Sequence, residues 1–198
     1  MDPRLLLAVV FSLILPGIQS KRAGLKRFIK AQSMQVLGFE WKNCGKPDDP
    51  AVLNTLNVAP DPISIPGQLK ADASGRTAVE LISPLALNMT IEKAVAGFWV
   101  KIPCVDDMGS CHYSDACDVL NMLVPPGQDC PEPLHAYGLP CRCPFKAGLY
   151  SLPPSDFFIP NLDLPYWLTN GKYRARGMLG QDGAELGCLE LGLTIHSG

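Results

Sequence analysis

Leu85-Ala86-Leu87-Asn88-Met89-Thr90-Ile91-Glu92 alternates without a fault. Leu85, Leu87, Met89 and Ile91 fall on one side and Ala86, Asn88, Thr90 and Glu92 on the other, the period of two that a half-buried β-strand requires. Asn88-Met89-Thr90 is also the one N-glycosylation sequon of the chain, and Asn88 lies on the polar side, where a glycan can sit in water. Pattern and motif therefore agree on a strand with one wet and one dry face.

The same reading extends to 39–43, 52–58, 69–74, 96–102, 149–152, 173–179 and 186–195. Turns such as Ala59-Pro60-Asp61-Pro62 and Ile65-Pro66-Gly67 punctuate these runs, so the chain is expected to be all-β, an antiparallel sandwich or barrel. One short helix fits at 115–123, with Ser114 as its N-cap and Pro125-Pro126 as its stop. Ten prolines between 125 and 167 argue against interior strands there, because each removes a ladder donor. Yet Phe157, Phe158, Ile159, Leu162, Leu164, Tyr166, Trp167 and Leu168 crowd the end of that stretch. Such a segment is expected to pack down as a lid, line a cavity or meet lipid.

The 198 residues carry 17 Lys+Arg and 19 Asp+Glu, a formal charge of −2 that speaks against a nucleic-acid partner. That total hides an asymmetry. Met1–Arg4, the apolar run Leu5–Leu15, the breaker Pro16-Gly17 and the small Ser20 read as a signal peptide over 1–20, too short to span a bilayer. Residues 21–38 hold five basic groups and no acidic one, a segment expected to be disordered or trimmed, or else drawn to an anionic membrane surface. Residues 39–198 are expected to form a single domain. Export also sets the cysteine chemistry, since thiols in the secretory pathway oxidise to disulfides.

The eight cysteines stand at 44, 104, 111, 117, 130, 141, 143 and 188. Eight thiols allow 105 full pairings, so spacing alone leaves the connectivity open. The outlying Cys44 and Cys188 are natural partners, whereas Cys141 and Cys143 flank one residue and are expected to bond elsewhere. Cys141-Arg142-Cys143 is a weak zinc motif in an exported chain, and neither a metal nor another cofactor is expected. The sequence contains no G-x-S-x-G elbow, H-E-x-x-H helix, P-loop or G-x-G-x-x-G, and its histidines are only His112, His135 and His196. Nothing marks a catalytic residue, so a non-enzymatic role is the expectation. An exported hydrolase or a protease inhibitor is the distant alternative.

Several blocks carry a likeness. Trp41-Lys42-Asn43-Cys44 and Asp49-Pro50-Ala51-Val52 precede Pro60-Asp61-Pro62-Ile63. Glu92-Lys93-Ala94-Val95-Ala96-Gly97-Phe98-Trp99-Val100-Lys101-Ile102-Pro103-Cys104 and Cys130-Pro131-Glu132-Pro133-Leu134 follow. Tyr137-Gly138-Leu139-Pro140-Cys141, Cys143-Pro144-Phe145-Lys146 and Leu164-Pro165-Tyr166-Trp167-Leu168-Thr169 complete the set. In this order, over roughly 39–190 and with all eight cysteines placed, the chain resembles the GM2-activator family of ML lipid-recognition domains.

The resemblance implies an eight-stranded antiparallel β-cup with an apolar cavity and four bridges, Cys44–Cys188, Cys104–Cys111, Cys117–Cys143 and Cys130–Cys141. It implies a lysosomal cofactor that extracts ganglioside GM2 and related glycosphingolipids from membranes and presents them to β-hexosaminidase A. An ML module for a sterol, phospholipid or other glycolipid is the alternative within the family. Trp99, Leu162, Leu164, Trp167 and Tyr173 are the expected lipid and membrane contacts, aromatic or aliphatic groups suited to a cavity mouth. Where the family carries a sequon near Gly67 this chain reads Gln68-Leu69-Lys70, which leaves Asn88 as the expected glycan acceptor.

Overall fold

The computed structural model describes residues 38–161 and 169–197. The expected leader and nearly all of the basic segment lie outside them, as do Leu162, Leu164 and Trp167. The strands are β1 (Glu40–Asn43), β2 (Ala51–Ala59), β3 (Ile63–Ile65), β4 (Gly67–Thr77), β5 (Ala86–Val95), β6 (Phe98–Lys101), β7 (His112–Tyr113), β8 (Gly148–Ile159), β9 (Gly171–Gln181) and β10 (Ala184–Ser197), with one helix, α1 (Ala116–Leu123). They form two sheets. The larger runs β1-β10-β9-β5-β6 with β3 beside β10 and β7 beside β5, and the smaller is β2-β4-β8. Every pairing is antiparallel except that of β3 with β10. The architecture is thus all-β, with ten described strands against about eight expected; β3 and β7 are too short to leave a periodic signature.

Two hairpins show local chemistry setting topology. Ala96-Gly97 joins β5 to β6 and Asp182-Gly183 joins β9 to β10, all four residues with φ between 50° and 85°. Positive φ at both central positions is the turn geometry whose twist matches that of the flanking strands. The turn also moves a boundary, because β6 begins at Phe98 and not at Ala96. Gly187 serves a different need. It lies where β10 slips register between Glu185 and Gly187, and a Cβ there would stand 2.4 Å from the Ala51 carbonyl oxygen. The larger sheet therefore approaches β2 by backbone, which only glycine permits.

Prolines are expected to bar interior strands between 125 and 167; β8 respects that, but it runs past the expected 149–152 through Pro153, Pro154 and Phe157–Ile159. Pro153 and Pro154 fall inside it, but β8 is an edge strand, paired among the described residues only with β4. The pair occupies a bulge: Ala71 faces Ser155 and Ala73 faces Leu152, so two residues of β8 oppose Asp72 alone. Bulged residues make no ladder bond, so the missing N–H groups cost nothing there.

The helix N-cap is Asp115, not Ser114. Asp115 has extended φ/ψ of −144° and 109° and its carboxylate accepts the Cys117 amide at 2.9 Å. The same carboxylate accepts the Leu85 amide at 3.1 Å and the Ser83 hydroxyl. Ser114 cannot compete because the side chain one residue later already holds both the helix and the entry to β5. Partial desolvation pushes the Asp115 pKa up, but the bonds from Ser83, Leu85 and Cys117 outweigh it and hold it below the usual value.

A depressed carboxylate stabilises the fold above the unfolded-state pKa and loses that contribution as pH falls through the folded one. Asp115→Ala is expected to cost about 2 kcal/mol, a cap and one tether. Urea midpoints should show the full difference at pH 5 and convergence of the two proteins well below about pH 4, the ordinary Asp range. A difference that persists unchanged in strong acid would contradict the carboxylate's role.

Candidate functional site

Period-two alternation places Leu87 and Met89 of β5, Ala175, Gly177 and Leu179 of β9, and Leu189 and Leu191 of β10 on the inner face of the larger sheet. Opposite them stand Val52 and Leu53 of β2, Ala73 and Gly75 of β4, and Tyr150 and Leu152 of β8. The inner faces do not close on each other. They bound a cavity of about 590 Å³, within the roughly 300–1,000 Å³ of sites that bury a small ligand. Small residues make the room: Met89 faces Gly177, and Ala175 sits between Ile91 and Leu191 across the ladder. A compact cluster of Leu85, Ala116, Cys117 and Leu186 packs beside Leu87 and Leu179 at one side.

Leu134, Leu139, Pro140 and Phe145 complete the wall from outside the sheets. They belong to the proline-rich segment, which Cys117–Cys143 and Cys130–Cys141 pin in place. Arg142 adds a strap, donating from Nη1 to the Pro125 carbonyl at 2.9 Å and from Nη2 to that of Gln128. The other bridges are Cys44–Cys188 and Cys104–Cys111. Three polar residues of the wall are committed within the protein. Asn43 bonds both backbone groups of Leu53, Ser74 pairs with Thr55, and Thr77 donates to the Val79 carbonyl. The cavity therefore offers a ligand mainly dispersion and apolar contact.

The two expected contact residues that are described, Trp99 and Tyr173, stand apart from this wall. Trp99 is on the outer face of the larger sheet, where the Arg174 guanidinium lies 4.8 Å from its ring centroid and is itself bonded to Glu92. Tyr173 points inward and is only 4% exposed. Its hydroxyl donates to the Thr169 carbonyl at 2.9 Å, and the Lys93 ammonium lies 5.3 Å over its ring. Neither lines the cavity. Leu162, Leu164 and Trp167 fall outside the described residues.

Sequence reasoning passed over Phe98, the neighbour of Trp99. At the tip of the β5–β6 hairpin it is 75% exposed, with Val95 and Val100 about half exposed. Ala96-Gly97 was the available signal, since a two-residue turn there sets which of Phe98 and Trp99 meets water. Among the described residues no group of His, Cys, Asp and Glu gathers to hold a metal, and no helix is long and apolar enough to cross a membrane.

Residues 38–195 match the ML domain family. A protein named ganglioside GM2 activator from Mus musculus is 46% identical over 192 residues, 97% of each chain. One of the same name from Macaca fascicularis is 52% identical over 157 residues, 79% of this chain and 83% of its own. A solved Niemann-Pick type C2 protein from Japanese carpenter ant aligns with a TM-score of 0.38 at 11% identity, over 79% of this chain and 98% of its own. Family match and full-length identity agree: the chain belongs to the ML domain family, with ganglioside GM2 activators among its relatives.

Proposed function

We propose that the protein is a non-enzymatic lipid-transfer cofactor of the lysosome, reached through the secretory pathway. It lifts ganglioside GM2 or a related glycosphingolipid from a membrane and presents it to β-hexosaminidase A, which removes the terminal N-acetylgalactosamine. The observation that carries this reading is the largely apolar cavity between the sheets, whose polar wall residues Asn43, Ser74 and Thr77 already bond within the protein. The names of the relatives support the choice of lipid.

The physical problem is access. A hydrolase in water cannot reach a sugar held close to a bilayer, and a tail drawn into water costs about 0.8 kcal/mol per CH₂. A cavity that buries the tails offsets this cost and leaves the sugar outside. The protein then needs no catalytic group, only a dry interior and a way to touch the membrane.

We assign that touch to the β5–β6 hairpin, Phe98 at its tip and Trp99 beside it, together with Leu162, Leu164 and Trp167. Tyr173 contributes from inside, as a brace beneath the hairpin side of the fold. Phe98→Ala should weaken partition onto anionic vesicles about thirtyfold, about 2 kcal/mol for one aromatic side chain. Vesicle flotation measures this, and unchanged partition would remove the hairpin from the contact.

The decisive experiment incubates purified protein with GM2-containing vesicles and β-hexosaminidase A and measures released N-acetylgalactosamine, with native mass spectrometry of the carried lipid alongside. Stimulated release with bound ganglioside is the expected result. A bound sterol or phospholipid without stimulation would assign the chain to another ML ligand, and no lipid at all would overturn the reading.

A further inference from the structure

We infer that Asn88 carries an N-linked glycan on the outer face of the larger sheet, and that this sugar keeps the part of that face around β7 and the start of β5, six residues short of the Ala94–Trp99 pair, out of docking. Asn88 is exposed and lies on β5 between Met178 of β9 and His112 of β7. Its neighbours Leu87 and Met89 line the cavity, so strand alternation turns Asn88 directly away from it. Thr90, the third residue of the sequon, shares its face.

The side-chain bonding fits a glycan atom by atom. The His112 Nδ1–H donates to Asn88 Oδ1 at 2.6 Å, since an amide oxygen can only accept. Glycosylation uses the other atom. Nδ2 bonds to the anomeric carbon of an oligosaccharide supplied on a lipid diphosphate, one amide proton leaves, and the lipid diphosphate departs as leaving group. Oδ1 keeps its lone pairs, so the His112 bond survives and fixes the direction in which the sugar leaves the sheet. No ladder bond or buried contact has to break.

A bulky, hydrated sugar on this face cannot be buried against a bilayer or a partner enzyme without desolvation. Docking is therefore left to other surfaces, including the hairpin tip around Phe98.

The inference rests on the export reading above, and the test separates the two. The full chain is expressed in a secretory mammalian host and collected from the medium, as wild type, Thr90→Ser, Thr90→Val and Asn88→Gln. Peptide N-glycosidase treatment should lower the mass of the wild type and Thr90→Ser and leave aspartate at residue 88 by peptide mass spectrometry. Thr90→Val and Asn88→Gln should show no shift while unfolding like the wild type, because both side chains are on the outer face. Secreted protein with an unmodified Asn88 overturns the glycan alone; retention in the cytosol with free thiols overturns export and the glycan together. GM2 extraction by Asn88→Gln should equal that of the glycosylated protein, and a tenfold loss would place this face in docking after all.

Discussion

Ala175→Phe is expected to abolish most lipid uptake while leaving the fold intact. Ala175 lines the cavity from β9, and a benzyl group there projects into space that no described side chain fills. If the ring displaces three or four methylenes of a bound tail, the loss is about 3 kcal/mol, roughly a hundredfold in affinity. Overpacking of a filled core would cost about 1–3 kcal/mol in stability, whereas here the ring has somewhere to go. Extraction of labelled ganglioside from vesicles and the thermal midpoint should therefore separate: the first collapses, the second stays. A variant that extracts like the wild type would locate the lipid elsewhere.

The second large effect belongs to Cys44–Cys188, which joins the end of β1 to the start of β10 across a sequence separation of 144. In the chain-entropy account a loop of that length is worth about 5 kcal/mol. That is a large part of the roughly 5–15 kcal/mol that holds any domain together. The double variant Cys44→Ala/Cys188→Ala should lose most of its denaturant midpoint. Removing Cys104–Cys111, with a separation of 7, should cost less, about 2–3 kcal/mol in the same account. Equal losses from the two would show that local strain relief, not loop closure, dominates.

How much of this was legible beforehand follows from what each signal encodes. Alternation in 85–92 declared a dry face, and Leu87 and Met89 do face the interior. Alternation cannot say whether that interior is filled. The cavity arises because Ala175 and Gly177 on one sheet oppose Ala73 and Gly75 on the other, a three-dimensional coincidence of small residues. Phe98 was missed because the strand was expected to start at Ala96, so Ala96-Gly97 was read as strand and not as the turn that puts Phe98 at the hairpin tip. Asp115 escaped because its second partner, Leu85, is 30 residues away. β8 outran its expected end at Leu152, through Pro153 and Pro154, because prolines bar interior strands only, and edge status is a property of topology.

Those two prolines have a consequence for life at high concentration. An edge strand is a template on which another copy can add a strand, and β8, with no partner on its second side among the described residues, runs for 12 residues. Two consecutive residues without N–H groups, a bulge that turns the backbone, and the charged Asp156 just beyond make that edge a poor template for self-recruitment. A sandwich held open by a hollow interior has less packing to resist such templating than a solid one. The proline-blocked rim therefore works against strand addition by a second copy of the chain.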